Sequence, residues 1–282
     1  MSFFQRPPLP PTGIRDRIAV SWTTSMDDLA SRRARGSQHW EADFGFLVAA
    51  NVFYFTVLAG LNVFMKSRPA ANPARLMQVY NVSCVVLAGI SGVAIATHKW
   101  QQPGAAFVCN PRGQQPGQQL GDVADGLLTW GIFVYYYQKY WEFLDTFFFM
   151  LRKSYRQVSF LHVYHHSSIT VVTCLAAQFD TAGDVYLAAL LNSWIHVFMY
   201  SHYWLTSIGV KNAPWRPYLT SMQLAQFLII LVQNVVAWFA GHDCGMPDWY
   251  KAVLVAYMAS MLVLFGHFFV SSYTAAPKPK RA

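Results

Sequence analysis

The sequence predicts an all-α protein that lies in a membrane and crosses it seven times. Its 282 residues are 54% hydrophobic and only 12% charged, whereas an average soluble domain has roughly 25% charged residues. The apolar residues form runs of about 20 residues, the length that a helix needs to cross roughly 30 Å of hydrocarbon. Short polar segments separate these runs. Together these observations indicate one membrane-embedded domain.

Three segments are predicted along the chain. Residues 1–42 mix Pro, Ser, Asp and Arg without an apolar period, which is typical of a flexible tail, here with a short amphipathic helix at its end. This tail lacks the apolar core of a cleavable signal peptide. Residues 43–272 form the seven-helix domain, and residues 273–282 form a basic tail. The predicted spans cover residues 44–65, 76–97, 124–150, 159–179, 184–205, 218–239 and 250–271.

The distribution of Lys and Arg predicts the orientation of the domain. The segments after spans one, three and five and the C-terminal tail hold 3, 3, 2 and 3 basic residues. The opposite loops hold only Lys99 and Arg112, although the N-terminal tail adds six Arg. Because cytosolic loops carry the excess of basic residues, we expect a cytosolic C-terminus. The net charge of +8 is thus explained by loops and tails, without a basic stripe that would bind nucleic acid.

The four cysteines show no CxxC spacing, which disfavours zinc and thioredoxin-like sites. Cys84 and Cys174 lie inside apolar runs, where a small core residue is expected. Cys109 and Cys244 fall in loops on the predicted non-cytosolic side, a compartment that permits disulfides. The sequence leaves two alternatives for them, a Cys109–Cys244 bridge and two separate thiols.

Four polar motifs interrupt the apolar runs. The first, KYWEFLDT, places Lys139, Glu142 and Asp145 within roughly 120° of one helix face, so that they can point together into a bundle. The alternative is a Lys139–Glu142 pair that only neutralises itself. Two acids and a Thr beside one Lys exceed what such a pair needs, and this favours a functional site.

The second motif, HVYHH, contains three histidines within five residues. We predict that His162 and His165 share a helix face one turn apart and that His166 is displaced toward a neighbouring helix. Buried imidazoles lose solvation and need partners, so this group indicates a reactive centre. Two chemistries fit the spacing: metal ligation, and nucleophilic or general-base catalysis by a neutral imidazole.

The third and fourth motifs, NSWIHVFMYSHYW and TSMQLAQF, add polar side chains to two later spans. Asn192, His196, Met199 and Tyr203 fall within about 60° of one another on a helix. Asn192 and His196 each need a hydrogen-bond partner at membrane depth. For the Gln residues of the fourth motif, interhelical contact and substrate contact are alternatives. His267, a lone histidine in the last span, is interpreted as structural.

These four motifs, in this order and within about 90 residues, resemble the KxxExxDT, HxxHH, NxxxHxxMY and TxxQxxQF boxes of the ELO family of very-long-chain fatty acid elongases. The resemblance implies seven helices that enclose an acyl-chain tunnel. It implies condensation of a long-chain acyl-CoA with malonyl-CoA to a 3-ketoacyl-CoA, CO2 and CoA, with no metal and no cofactor besides these substrates. It also implies the endoplasmic reticulum membrane, and Lys278 and Lys280 agree with this because they resemble a dilysine retrieval signal.

The second and third motifs are most similar to family members that elongate polyunsaturated acyl chains. One departure is His202, which stands where the family usually has Tyr, and it puts substrate assignments from that helix face in doubt. Expected partners are the lipid bilayer and, by resemblance, the 3-ketoacyl-CoA reductase, dehydratase and enoyl reductase of the elongation cycle. A homodimer is also considered.

The resemblance and the chemistry together predict roles for the site residues. His165 is the predicted nucleophile toward the acyl thioester, with His196 assisting from another helix. His162 and His166 are predicted to transfer or orient protons, and Asn192 to stabilise a developing oxyanion. Lys139 and Arg152 are predicted to hold CoA phosphates or the malonyl carboxylate. The other predicted substrate-binding residues are Glu142, Asp145, Tyr200, Tyr203, Gln223 and Gln226.

Two further function classes were compared with this prediction. A di-iron membrane desaturase or hydroxylase also contains HxxHH, but it draws its ligands from three His boxes, and the sequence has no second HxxHH. A seven-helix receptor or transporter has little reason to hold four imidazoles, two acids and a Lys at membrane depth. The sequence therefore favours an enzyme with histidine chemistry.

Overall fold

The computed structural model describes residues 13–34, 44–101, 106–110, 122–179, 183–210, 213–240 and 246–274. All regular structure in these ranges is helical, which confirms the all-α prediction for this part of the chain. The helices are α1 (Ile14–Ala34), α2 (Phe44–Phe64), α3 (Ala74–Gln101), α4 (Asp122–Trp141), α5 (Phe143–Leu151), α6 (Phe160–Phe179), α7 (Val185–Ser207), α8 (Arg216–Phe239) and α9 (Asp248–Phe269). A π-helical turn, Val270–Thr274, continues α9.

Helices form at every predicted span, and within the described ranges four of them are long and apolar enough to cross a membrane. These are α2, α3, α8 and α9 with its π-helical turn. The chain is therefore a membrane protein with several spanning helices. The other predicted spans correspond to α4 with α5, to α6 and to α7, which carry most of the polar motif residues.

The third predicted span, 124–150, is not one continuous helix. It is divided at Glu142, which separates α4 from α5. The Glu142 N–H still donates to the Gln138 carbonyl at 2.9 Å, but the Asp145 N–H donates to the Glu142 carbonyl, only three residues back. This tighter turn interrupts the α-helical hydrogen bonding at Glu142.

Six helices pack in a closed circuit, called here the helix ring: α3, α4, α6, α9, α8 and α7, each in contact with the next, and α7 again with α3. Two glycines permit close approach. A Cβ on Gly131 of α4 would lie 3.0 Å from the Ala94 Cβ of α3, and a Cβ on Gly92 of α3 would lie 3.3 Å from the Trp194 ring of α7. Small residues at such contacts let membrane helices pack backbone to backbone.

A single buried apolar cluster, called here the ring core, draws side chains from all six helices of the ring. Among its buried members are Ile95, Ile132, Val172, Ala189, Ile230 and Leu254. Helix α2 contacts α5 and α6 on the outside of this circuit. Several of its large apolar side chains are exposed, including Val48, Val52, Phe53 and Val63. This is expected of a helix that faces lipid, because lipid tails are as apolar as Leu.

The N-terminal segment, predicted as a tail with a short helix at its end, holds a longer helix. Residues Ile14–Ala34 form α1, a helix of 21 residues that packs on α9. Its Arg17 forms an ion pair with Asp248 at 3.0 Å, and its Trp22 ring meets the Trp249 ring edge-on at 5.0 Å. The length of this helix could not be predicted, because its contacts are with a distant part of the chain.

Candidate active site

A group of four buried side chains, called here the charge cluster, joins the end of α4 to the middle of α7. The Lys139 Nζ donates to Asn192 Oδ1 at 2.8 Å and to Glu142 Oε1 at 3.2 Å. The His196 Nδ1 lies 2.8 Å from the same Glu142 oxygen. Lys139 and Glu142 are 1% and 0% exposed. Removing either charge would leave the other buried without its counter-ion.

The local sequence explains why the cluster assembles. Lys139 and Glu142 are three residues apart, and Asn192 and His196 are four residues apart on α7, so each pair lies on one side of its helix. Tyr135, one turn before Lys139, adds a cation–π contact with its ring centroid 4.6 Å from the Lys139 Nζ. The self-neutralising Lys139–Glu142 pair does form, but two side chains of another helix complete it.

The hydrogen bond between Glu142 and His196 fixes how the imidazole can react. An ionised carboxylate only accepts hydrogen bonds, so the Nδ1 of His196 must donate. In the neutral imidazole, Nε2 then carries the lone pair. A carboxylate that orients an imidazole in this way is the arrangement found in Ser-His-Asp hydrolases, where the imidazole acts as a general base. The pair is therefore suited to moving a proton at His196 Nε2.

A second acid, Asp145, is held by tyrosines instead of a cation. The Tyr200 hydroxyl donates to Asp145 Oδ2 at 2.6 Å, a distance typical of a strong O–H···O⁻ bond. The Tyr80 hydroxyl of α3 lies 3.5 Å from the Tyr200 hydroxyl. Asp145 and both tyrosines are buried. This chain of hydroxyls connects α3, α5 and α7 beside the charge cluster.

Thr146 connects the first histidine of the HVYHH motif to α2. Its Oγ1 lies 2.8 Å from His162 Nε2 and 3.0 Å from the Tyr54 hydroxyl. Tyr54 is itself fixed by a stacked contact with the Phe143 ring, with centroids 4.3 Å apart. The side chain of His162 is thus oriented through two hydroxyl groups on α2 and α5.

The ring contacts within HVYHH involve His166. The centroids of His162 and His166 are 4.3 Å apart, and those of His165 and His166 are 5.3 Å apart. His166 therefore contacts both of the other histidine rings, and the prediction of a shared face for His162 and His165 did not include this contact. At 100° per residue, His166 lies only about 40° from His162 around the helix, whereas His165 lies about 60° away on the other side. The His165 ring is directed toward α9, 6.4 Å from the Phe265 ring centroid.

Two buried amide and imidazole atoms near these residues lack a hydrogen-bond partner. They are Nδ1 of His166 and Oε1 of Gln226. Gln223 differs, because its Nε2 lies 3.7 Å from the sulfur of Met199 on α7. Buried polar atoms without partners are costly unless a ligand or water satisfies them. Gln223 thus contributes an interhelical contact, whereas Gln226 and His166 retain an unused polar atom.

A cavity of about 430 Å³ opens beside Asp145. Asp145, Arg152, Tyr203 and Asn81 are among its lining residues. Lys139 does not line this cavity, although Lys139 and Arg152 are both predicted to hold CoA phosphates or the malonyl carboxylate. The Lys139 ammonium group is enclosed in the charge cluster, while Arg152 remains close to the cavity. The two cations therefore lie in different environments.

The described cysteines agree with the predicted division into core and loop residues. Cys84 and Cys174 are buried. Cys109 takes part in a disulfide bond. Cys244 lies outside the described residues, so the Cys109–Cys244 pairing stays a prediction.

Several residues that contact the site were missed in the sequence. Tyr54, Tyr80 and Tyr135 lie outside the four motifs, yet each contacts a motif residue. A usable signal existed, because a Tyr in an apolar span needs a partner for its hydroxyl at membrane depth. That signal indicates a contact without indicating which residue supplies it. Among the residues that the structure describes, no group of three or more His, Cys, Asp or Glu side chains is placed to hold a metal ion.

Comparison with known proteins identifies the family. The family model described as ELO, the GNS1/SUR4 family, matches residues 39–281. Very long chain fatty acid elongase 5 of Tachysurus fulvidraco is 32% identical over 226 residues, which cover 77% of this chain and 73% of the relative. Very long chain fatty acid elongase 4 of Homo sapiens is 30% identical over 273 residues, which cover 95% of this chain and 83% of the relative. These matches show that the chain belongs to the ELO family.

Proposed function

We propose that this chain is a fatty acid elongase that condenses a long-chain acyl-CoA with malonyl-CoA. The products are a 3-ketoacyl-CoA, CO2 and CoA. The observation that carries the proposal is the enclosed set of reactive groups, in which the charge cluster and the three histidines of α6 lie within apolar helices. The names of the relatives, very long chain fatty acid elongases 4 and 5, agree with it.

His165 is proposed as the nucleophile of the first half-reaction. A nitrogen of its imidazole attacks the acyl carbonyl, the C–S bond breaks, and CoA leaves as a thiolate that solvent protonates on release. The proton that the His165 imidazole gives up passes to Nε2 of His196. An acyl-imidazole hydrolyses readily, so the step requires a site that excludes bulk water. The burial of the neighbouring His166 and His196 supports such a site.

The second half-reaction forms the new carbon–carbon bond. Malonyl-CoA loses CO2, and the carbanion equivalent attacks the acyl carbonyl while the bond to His165 breaks. The imidazole then takes up a proton, for which Nε2 of His196 is the proposed carrier. Asn192 is proposed to stabilise the developing negative oxygen. This role is supported by its fixed amide, whose Oδ1 accepts from Lys139, so that its Nδ2 is left to donate.

The substrate-binding roles follow the positions of the charged groups. Arg152 and Tyr203 are proposed to bind the polar part of CoA, because they line the cavity beside Asp145. Lys139 is proposed to hold Glu142 and Asn192 in position instead of binding a phosphate. His162 and His166 are proposed to orient and transfer protons beside His165. Gln226 is proposed to contact the substrate.

The membrane arrangement is proposed as seven spans, with α4 and α5 together forming the third. The acyl chain then lies in a tunnel along the ring core. The C-terminus is cytosolic, the membrane is that of the endoplasmic reticulum, and Cys109 pairs with Cys244 on the other side. Partners are the reductase, dehydratase and enoyl reductase of the elongation cycle, and a homodimer.

A preference for polyunsaturated acyl chains is proposed from the second and third motifs. His202, which departs from the usual family residue, is buried and lies 3.1 Å from the Trp215 Nε1. The Trp indole can only donate, so His202 accepts at Nδ1. This contact satisfies His202 at the base of α8 and supports a structural reason for the departure, separate from substrate choice.

The proposed function is tested by incorporation of labelled malonyl-CoA in membranes that carry the protein. Saturated, monounsaturated and polyunsaturated acyl-CoAs are compared in wild type, His165→Ala and His267→Ala. His267 is an exposed histidine of α9, so its variant is the matched control. We expect elongated product in wild type and in His267→Ala, and a loss of at least about 100-fold in His165→Ala. Well-folded wild type that incorporates no label from any acyl-CoA would contradict the proposal.

Two further measurements test the mechanism and the alternative. Incubation with labelled acyl-CoA alone should release CoA and label the protein if the acyl-imidazole forms; its absence would favour histidine as a general base only. Measured iron near two atoms per chain would instead favour the di-iron desaturase class.

A further inference from the structure

Helix α1 presents one face to the rest of the protein. Ile18, Ser21, Ser25 and Met26 are buried or half-buried, whereas Val20 on the other side is 52% exposed. The spacing of the covered positions, at steps of three, four and one, follows one side of a helix. The segment therefore docks with a defined orientation.

The polar contacts of this face with α9 are all made at the start of that helix. Arg17 Nε donates to Asp248 Oδ2 at 3.0 Å, and Ser21 Oγ accepts from the Trp249 N–H at 3.2 Å. Ser25 Oγ accepts from Trp249 Nε1 at 3.1 Å. Arg17 and Ser25 are about 12 Å apart along α1, but their partners are consecutive residues at the start of α9. This pattern is that of a helix that lies across the end of α9.

The end of the neighbouring helix α8 belongs to the same surface. Arg17 Nη2 donates to the Trp238 carbonyl in the last turn of α8, at 3.3 Å. Ser21 satisfies an N–H of the first turn of α9, one of the donors that a helix leaves without an internal partner. Helix α1 is thus attached to the ends of two adjacent helices of the ring by side chains that suit those ends.

The same face of α1 also holds apolar side chains that contact the ring core. Ile18 and Met26 pack against this cluster. Along α9, the residue beside the His165 ring is Phe265, and the residue beneath α1 is Trp249. They are sixteen residues apart, or about 24 Å along the helix axis. The ring core therefore separates the histidines from α1 by a distance that suits a long acyl chain.

We propose that α1 is the end wall of the acyl-chain site and that Ile18 and Met26 limit the length of the acyl chain. This inference rests on the proposed elongase function. It assigns substrate selection to a segment that precedes the match to the family model, which starts at residue 39. An acyl chain that extends from His165 along the ring core would bring its methyl end to these two side chains.

The experiment compares the longest product that each full-length variant makes from acyl-CoAs of increasing length and labelled malonyl-CoA. Ile18→Ala and Met26→Ala remove side-chain volume from the end wall and leave room for a longer acyl chain. We expect the longest product to gain at least one two-carbon unit. Ile18→Trp and Met26→Trp add side-chain volume to the end wall and leave less room for the acyl chain. We expect the longest product to lose at least one two-carbon unit. Val20→Ala and Val20→Trp are the matched controls on the exposed face, and we expect no shift.

The opposite directions separate this role from a general loss of stability, which cannot lengthen products in one pair and shorten them in the other. If wild type is active and the Ile18 and Met26 variants give the same longest product as the Val20 variants, the inference is overturned while the elongase function stands. If wild type itself incorporates no label, both the inference and the proposed elongase function are contradicted.

A second measurement uses the unaltered protein. A long acyl-CoA with a photoreactive diazirine at its methyl end is bound and irradiated, and the labelled peptides are identified. We expect label on residues 18–26, with less label when a shorter acyl-CoA analogue is used. Label confined to other helices, with none on α1, would overturn the inference even if the substituted variants fold poorly.

Discussion

Two buried lysines each form an ion pair with an acid three residues away, and the two pairs have different roles. Lys139 pairs with Glu142 three residues later, at 3.2 Å, and Lys251 pairs with Asp248 three residues earlier, at 3.1 Å. Both lysines are almost completely buried. The comparison shows that spacing and burial alone do not mark a reactive site. The difference lies in the third group that each pair recruits.

The pair on α9 recruits groups that stabilise helix ends. Lys251 Nζ also lies 3.4 Å from the Ala237 carbonyl, near the end of α8, and Asp248 also binds Arg17 of α1. A cation near the C-terminus of a helix and an anion at the N-terminus are both favourable for the helix dipole. This pair therefore fastens α1, α8 and α9 together.

The pair at the end of α4 recruits groups that can react. Glu142 binds His196, the only type of side chain whose ordinary pKa allows proton exchange near neutral pH. Lys139 binds Asn192, whose amide is thereby oriented. A buried charge pair that orients an imidazole is suited to proton transfer. The pair at the end of α4 is therefore reactive, whereas the pair on α9, with the same spacing, is structural.

The largest effect is expected from Lys139→Met, compared with Lys251→Met. Removing Lys139 leaves Glu142 with His196 as its remaining partner and frees the orientation of Asn192. We expect a loss of about 3–5 kcal/mol in unfolding free energy and a large loss of elongation. Thermal unfolding of the purified protein and labelled malonyl-CoA incorporation measure the two effects.

Lys251→Met is the matched control, because Asp248 keeps Arg17 as a partner. We expect a smaller loss of stability and an unchanged elongation rate per folded molecule. Equal losses of rate in both variants would contradict the distinction between the two pairs.

The sequence predicted most of the helices that carry the two ion pairs, but it did not predict the contact of Glu142 with His196 on another helix. The apolar runs predicted helices close to the observed α2, α3 and α6–α9, because a span must satisfy its backbone internally. The interruption at Glu142 was missed, since the contact of its carboxylate with His196 on another helix has no local signal. The His162–His166 contact could have been found with stricter use of the helical period. The length and docking of α1 were not predicted, because its contacts to Asp248 and Trp249 bridge more than 200 residues.

The second prediction concerns Asp145, the buried acid that is held by a tyrosine hydroxyl instead of a cation. Tyr200→Phe removes the hydroxyl that donates to Asp145, and the carboxylate stays buried. Hydrogen bonds to charged groups contribute about 1.5–3 kcal/mol, so we expect a loss of this size in unfolding free energy. Tyr218→Phe, at a position that is 71% exposed, is the control. A Tyr200→Phe protein as stable as this control would mean that Asp145 is satisfied in another way.

A third and smaller effect is expected from Tyr54→Phe. The hydroxyl positions Thr146, which in turn binds His162, so Tyr54 acts on the site through two other residues. We expect a stability loss of about 1 kcal/mol and a fall in kcat with little change in KM, because substrate contacts are kept. Tyr155→Phe, at an exposed tyrosine, is the control. A rise in KM at unchanged kcat would instead indicate that Tyr54 contacts the substrate.

The smallest effect is expected directly beside the charge cluster. Ser193 follows Asn192 in the sequence, but its hydroxyl donates to Ser91 of α3 at 3.2 Å, away from His196. Interhelical hydrogen bonds between neutral groups in membrane proteins contribute about 0.6 kcal/mol on average, so Ser193→Ala should cost about that much. We expect its elongation rate to equal that of Ser221→Ala, an exposed control on α8. A marked loss of rate would mean that nearness to the cluster matters by itself. An unchanged rate would support the view that the third group bound by each Lys–acid pair decides its use.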